Sequence, residues 1–557
     1  MNHKMLEARA GAEQEPGAQQ VGGRPDHVVR ILGSNLLTWT ILSIGILLRA
    51  YQFSIDRGLW VDEARVALNV LERSPIELLR PLEHDQVAPF GFLWLEKLAI
   101  IALGSGENVL RLLPLLAGIA SLFLFQTVAR RYLAPEATNI GLFLFAASPM
   151  LVYFSAETKQ YSLDVLVALG LTWIMLRCME GPVTLRNSFS LGVIGMAATW
   201  FSHTAVLVLI GFAVVLAWRW FRQGEPALWQ IIPILALWGT GGVFCALLPL
   251  IAVPEETSAY MDEFWSAGFL PFPPTTFADI GAYASLSEWL LRSSLMLWIP
   301  GVGLAAFAAG LWFLTSTPRP QWWTLLLAPL IVTILASMLS LYPLGSPKAI
   351  TVFASRPVLF LVPSLILVAS YGIWRTMTHQ RTAPRLIGKA LFLLVVLQLV
   401  AAVTQLPVRR VDHRPALAHL SEHHQSGDRI YTQRNSTAVF LYYASHYGLD
   451  DLEVIPGRRI KYTRENYASE IMRTEGGGRT WFLFSAENLL RFRDGAGFQL
   501  VESILNQAGQ RLRSYESDRV SLYLYDMSST VVQYSGGQER ANTRVTRPDR
   551  AGVSLGR

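Results

Sequence analysis

Charge is scarce in this chain. Only 16% of its 557 residues are Asp, Glu, Lys or Arg, where a soluble chain carries about a quarter. With 52% hydrophobic residues and a mean hydropathy of +0.34, this excludes an ordinary soluble globular protein. Cysteine is nearly absent. Cys178 and Cys245 lie at the end of one apolar run and inside another, with neither pairing nor metal-ligand spacing. Several chemical motifs are missing too. There is no GxxxxGK[ST] phosphate loop, no HExxH zinc helix, no GxSxG elbow and no CxxC pair, which argues against P-loop ATPases, zincins and α/β-hydrolases. No basic run carries interleaved aromatics, so the net charge of +6 does not point to nucleic acid.

Long apolar runs and aromatics are what the sequence has in abundance. The 17 Trp, 18 Tyr and 27 Phe fall largely near the ends of those runs, as in interfacial belts. Runs of roughly 17–25 residues suit a hydrocarbon core about 30 Å thick. Eleven are read, at 32–51, 109–128, 138–155, 161–177, 187–202, 204–220, 229–252, 288–315, 322–342, 357–376 and 387–405. The fold class expected is therefore a polytopic α-helical membrane protein of about eleven spans.

Segment 89–103, "PFGFLWLEKLAIIAL", is short and contains Glu96 and Lys97. Read as an amphipathic interfacial helix, it leaves Arg130, Arg131, Arg177, Arg186, Arg219, Arg222, Arg319, Arg375, Arg381 and Arg385 all on one side. The opposite loops include 253–286, which carries Glu255, Glu256, Asp262, Glu263 and Asp279 and no Lys or Arg. The positive-inside rule prefers this arrangement. It predicts the cytoplasmic (inner) membrane, a cytoplasmic N-terminus and an extracytoplasmic C-terminal region. Residues 1–28 read as a disordered cytoplasmic tail without a signal-peptide core, 29–405 as the multi-spanning domain, and 531–557 as a flexible basic tail. Residues 406–530 read as an α/β domain, with helices at "RPALAHLSEHH" and "QLVESILNQAG" and strands at "DRIYTQ", "TWFLFS" and "VSLYLYD".

One topology gathers several polar groups on the outer face. In "GLWVDEAR", Asp62 and Glu63 follow the first span directly. Carboxylates there serve as a general base, or as ligands for an acceptor or metal, or only as an N-terminal charge pair favourable to a helix dipole. His84 and Asp85 end the same loop, in a turn. Glu157, Lys159 and Tyr161 sit between two spans with almost no loop, where Lys159 either snorkels or meets a phosphate. Lys348 and Arg356 occupy a Pro/Gly-broken loop, suited to phosphate or to acidic lipid headgroups. His203 sits in the tight "WFSHTAV" turn, as a structural histidine or a ligand.

Together, "GLWVDEA", "HDQVAPFGFLWLEKL", "ENVLRLLPLLAGIASLFLFQTVARRY" and "SPMLVYFSAETKQYSLDVLVAL" resemble the GT-C superfamily of integral membrane glycosyltransferases. The group they are most similar to is the protein mannosyltransferase-like one, which includes lipid A aminoarabinose transferases and Rgt-type core transferases. The resemblance covers roughly residues 30–380. It implies a polyprenyl-phosphate sugar donor, transfer with inversion on the outer membrane face, and a glycan, lipid or protein acceptor. It implies that Asp62 is the catalytic base, with Glu63 adjacent to it in the catalytic site. Lys159, Arg356 and Lys348 would bind the donor phosphate, and His84, Asp85, Glu157 and Tyr161 the substrate. Some relatives bind a divalent metal near the first loop, and the resemblance makes Glu63, His84 and His203 the candidate ligands here. The chain departs from the pattern at Ala88-Pro89, where relatives often carry two prolines, and at Lys159, where they often carry Arg. Two other classes compete: a non-catalytic scaffold binding a partner through its outer domain, and a lipid-linked glycan flippase or polymerase.

Overall fold

The computed structural model describes residues 27–528, except 182, 225, 253–254, 296, 298, 317–319, 346–351, 461–462, 486–496 and 518. The expected tails at 1–28 and 531–557 therefore lie almost wholly outside the described residues. The chain divides into two compact units, Met1–Arg410 and Val411–Arg557.

The first unit is helical and is that of a multi-pass integral membrane protein. Among the described residues seven helices are long and apolar enough to cross a membrane: Asn35–Ser54, Glu107–Tyr132, Tyr161–Glu180, Ala205–Gln223, Leu228–Cys245, Ser355–Met377 and Thr382–Val403. Val302–Leu314 and Trp323–Met338 are shorter apolar helices. Two of the runs read as continuous spans are broken. The run 288–315 falls on two helices, Phe277–Leu295 and Val302–Leu314. Pro300 lacks a backbone donor, and Gly301 takes φ +80°, a left-handed conformation that glycine adopts without a Cβ penalty. The run 138–155 is likewise split into Pro135–Ala147 and Pro149–Phe154, because Pro149 suits the first turn of a new helix and not the interior of one. The acidic segment 253–286, read as a loop, contains the helix Glu255–Trp265.

Helices pack closely where side chains are small. Val302–Leu314 crosses Val362–Met377 at Gly310 and Gly372, and a Cβ on Gly372 would collide with the Gly310 backbone, a close approach of the kind small residues permit between membrane helices. The core of this unit is continuous, from Leu42 and Phe125 through Phe145 and Phe154 to Val362 and Ile366. A smaller apolar cluster, with Val66, Val70, Phe92, Leu93 and Leu163 at its centre, supports the segment that carries Asp62.

The second unit contains a five-stranded mixed sheet. Its strands are β1 Arg429–Thr432, β2 Glu453–Pro456, β3 Arg479–Ser485, β4 Gln510–Glu516 and β5 Val520–Asp526. Their order is β2-β1-β3-β5-β4, with β2, β1 and β3 parallel and β5 and β4 antiparallel to their neighbours. The expected helices are found at Arg414–His423 and Gly497–Ala508. Two edge strands escaped the sequence reading. β4, "QRLRSYE", has no buried residue, so it shows none of the alternation a half-buried strand displays, and its charges suit an edge. β2 has only four residues.

Candidate active site

Trp60, Val61 and the helix Val61–Glu72 begin the site. Asp62 and Glu63 both lie in the first helical turn, where negative charge is favourable. Successive helical residues point about 100° apart, so the two carboxylates face different surroundings.

Glu63 is sealed. Its side chain is fully buried and clamped by Arg111 at 2.8 Å and Arg57 at 3.2 Å, themselves buried. Its oxygens also accept from the Thr158 amide at 3.0 Å and the Trp60 amide at 3.4 Å. Arg111 donates further to the Arg57 and Gly58 carbonyls, and Arg57 to that of Ala156. Burial pushes the Glu63 carboxyl up, and Arg111 and Arg57 more than reverse this, holding it ionised. The group thus ties the segment after the first long helix to the 156–158 turn and to the start of the Leu112–Tyr132 helix.

Asp62 is not sealed. Its carboxylate retains 16% exposure and accepts from Arg356 Nη1 at 2.8 Å. Burial pushes it up, but Arg356, then Lys159, then Arg65 outweigh burial and hold it well below the usual carboxylate range. The Arg356 guanidinium lies against two rings, Tyr161 at 5.9 Å and Trp265 at 5.8 Å. Its segment is fixed by Tyr342, whose hydroxyl donates to the Pro357 carbonyl at 2.6 Å.

Lys159 is buried in the turn after Phe154, and its ammonium donates to Gln86 Oε1. Desolvation lowers its pKa, with Asp62 acting against the fall and Arg356 adding to it, to about 8. Gln86 in turn donates to the His84 and Asp85 carbonyls at 3.4 and 3.2 Å. His84 and Asp85 both have left-handed backbone, φ +61° and +55°, which is uncommon outside glycine. Glu157 is buried and accepts from Trp60 Nε1 at 3.2 Å. Its pKa is raised by burial and then by the Glu63 charge. Arg410 lies over the Trp60 ring at 4.4 Å and donates to Tyr153 Oη at 3.0 Å.

The structure thus brings Asp62, Arg356, Lys159 and Tyr161 together, with Glu157 behind them and His84 and Asp85 joined through Gln86. Lys348 lies outside the described residues. Two expectations are corrected. Glu63 is not open beside Asp62, because both its oxygens are taken by buried arginines and amides. Nor do Glu63, His84 and His203 form a metal centre. Among the described residues, one group of three His or acidic side chains has ligand atoms all within 4.8 Å of one another, and it is elsewhere, at His419, Glu422 and His423. A carboxylate neutralised by two guanidiniums has no charge left for a cation. His203 is partly buried, with its pKa lowered by burial to about 4.

Sequence reasoning missed Arg57, Arg111, Gln86, Arg410, Trp265 and Tyr342. It also missed Asp164, buried in the first turn of Tyr161–Glu180, which accepts from Ser202 Oγ at 2.6 Å. Arg57 and Arg111 had a signal available: each is a cation at or near the end of an apolar run, as Glu63 is an acid near the end of one. A further support is Lys97, whose ammonium donates to the Val70 and Leu71 carbonyls at 2.8 and 3.1 Å, at the C-terminal end of the helix that carries Asp62.

No family model matches this chain, and no curated protein is significantly similar to it. Solved structures are similar over about nine-tenths of its length. One is ArnT from Cupriavidus metallidurans bound to undecaprenyl phosphate, with 13% identity over 90% of this chain and 99% of that one and a TM-score of 0.49. Another is the Archaeoglobus fulgidus oligosaccharyltransferase in complex with Zn and sulfate, with 13% identity over 87% of this chain and 72% of that one and a TM-score of 0.45. The same archaeal enzyme, AglB, in complex with an inhibitory peptide and a dolichol-phosphate, gives 10% identity, 90% and 75% coverage and a TM-score of 0.45. At these identities and scores the likeness assigns no activity to this chain.

Proposed function

We propose that this protein is a glycosyltransferase of the cytoplasmic membrane, with about eleven spans. It moves a sugar from a polyprenyl-phosphate donor to an acceptor hydroxyl at the extracytoplasmic face, with inversion. The observation that carries the reading is one accessible carboxylate, Asp62, surrounded by Arg356, Lys159 and Arg65. Three cations around one accessible carboxylate, with Glu157 buried behind it, suit a phosphate-linked substrate. The motif resemblance around these same residues supports it.

In this mechanism the donor phosphate draws Arg356 and Lys159 to itself. Their charge then stabilises the leaving polyprenyl phosphate, which needs no protonation. Relieved of its partner, Asp62 becomes basic enough to accept the proton of the attacking hydroxyl. The C–O bond to phosphate breaks, the bond from the acceptor oxygen to the anomeric carbon forms, and the proton ends on Asp62. Tyr161 holds Arg356 through its ring, Glu157 holds Trp60, and His84 and Asp85 shape the turn that presents Gln86 to Lys159. Glu63 acts as an anchor and not as a second base. The interfacial helix at 89–103 and the apolar spans guide the lipid tail.

The test is a transfer assay. Purified protein is incubated with a panel of polyprenyl-phosphate sugars and membrane extract as acceptor source, wild type beside Asp62→Asn. Release of polyprenyl phosphate by wild type alone supports the reading. Equal release by both keeps the enzyme and removes Asp62 as base. Silence from wild type with every donor favours a scaffold.

A further inference from the structure

We propose that the second unit carries a binding site for a divalent d-block cation of the zinc type, formed by His419, Glu422 and His423. This is independent of the transferase reading. The three residues share one face of the helix Arg414–His423, at i, i+3 and i+4, the spacing that stacks side chains on neighbouring turns. The adjoining face is occupied: Ala416, Leu417 and Leu420 are buried in the unit. One ligand atom from each of the three residues lies within 4.8 Å of the others.

Three details prepare these side chains for a metal. The His423 Nδ1 lies 2.8 Å from the His419 carbonyl. A carbonyl accepts only, so in the neutral ring Nδ1 carries the proton and Nε2 keeps its lone pair. A metal-bound histidine is oriented in this way by its second nitrogen. The His419 ring stacks with two others, His423 at 4.2 Å and Tyr515 of β4 at 4.8 Å. Its Nε2 has no hydrogen-bond partner among the described residues. Burial, then His423, then Arg513 lower the His419 pKa, and Glu422 acts against them. Arg513 is the cation nearby that opposes a metal, and Glu422 is the charge that offsets it.

The donor set selects the ion. Two imidazoles and one carboxylate suit Zn, Ni or Cu, and not Ca or Mg, which take oxygen ligands. Three protein ligands leave a fourth position for water or for a donor from a partner.

The experiment uses the full chain in detergent, stripped of metal and titrated with Zn²⁺ by calorimetry, with Co²⁺ absorption as a second probe. The expected result is one saturable site per chain. In the double variant His419→Ala/His423→Ala it weakens by a factor on the order of 100 or more. In Glu422→Gln, an exposed change that leaves the fold intact, it weakens by about tenfold, the scale on which single metal-site groups act. Saturable binding that is unchanged in both variants overturns the proposal, and so does the absence of any saturable Zn²⁺ binding to the wild type. If the double variant fails to fold, Glu422→Gln decides.

Discussion

Asp62 and Glu63 are neighbours in sequence and unlike in every other respect. One side of the helix start is closed: Glu63, Arg57 and Arg111 form a buried network with no access to water. The other side is open, with Asp62 held by a single partly exposed partner, Arg356. The difference teaches that a carboxylate pair is not one functional unit. A charge that is fully matched and desolvated serves the fold, while a charge whose partner is exposed and exchangeable is available for chemistry.

The sharpest way to break this contrast is to neutralise each acid in turn. Asp62→Asn should lower transfer by roughly 10²–10⁴, the range of a lost general base. Its thermal stability should change little, because a partly exposed ion pair contributes about 1 kcal/mol or less. Glu63→Gln should do the reverse. Removing one member of a buried ion network costs roughly 3–5 kcal/mol, visible as loss of folded protein on thermal unfolding in detergent, and donor analogues should still bind whatever remains folded. If Asp62→Asn unfolds the protein and Glu63→Gln only slows it, the contrast is wrong.

Charge at the open side is the next target. Arg356→Gln should lower turnover by about 10²–10³, as loss of one donor to a developing anion does, measured as kcat with saturating lipid donor. Lys159 sharpens the picture through pH. Its pKa is lowered to about 8, so it is charged below that value and loses its proton as pH rises through it. The kcat/KM for the donor should therefore fall above about pH 8, and Lys159→Arg should move that limb upward. Asp62 is held below the ordinary carboxylate range, so the free enzyme should show no acid limb from it near neutrality. The smallest effect is expected for Tyr342→Phe. It removes one hydrogen bond to the Pro357 carbonyl, worth about 1 kcal/mol, and should slow transfer several-fold without lowering the yield of folded protein.

The sequence showed the membrane class and the locations of Asp62, Lys159 and Arg356, because apolar runs and isolated charges beside them are local signals. The pairing was not local. Arg111 meets Glu63 from 48 residues away and Arg356 meets Asp62 from 294, and no spacing rule carries that information. The breaks within 138–155 and 288–315 were visible as prolines, but apolar content outweighed them in a reading based on hydropathy. β4 was hidden because an exposed edge strand has no hydrophobic period. Segment 89–103 forms one helix, Phe90–Leu103.

The helix that carries Asp62 is fastened at both ends, by the Glu63 network at its start and by Lys97 on the Val70 and Leu71 carbonyls at its finish. A beam clamped at both ends does not tilt. On the proposed reading, the room that a lipid-linked sugar needs would come from the arm that bears Arg356, while the carboxylate it leaves would keep its aim.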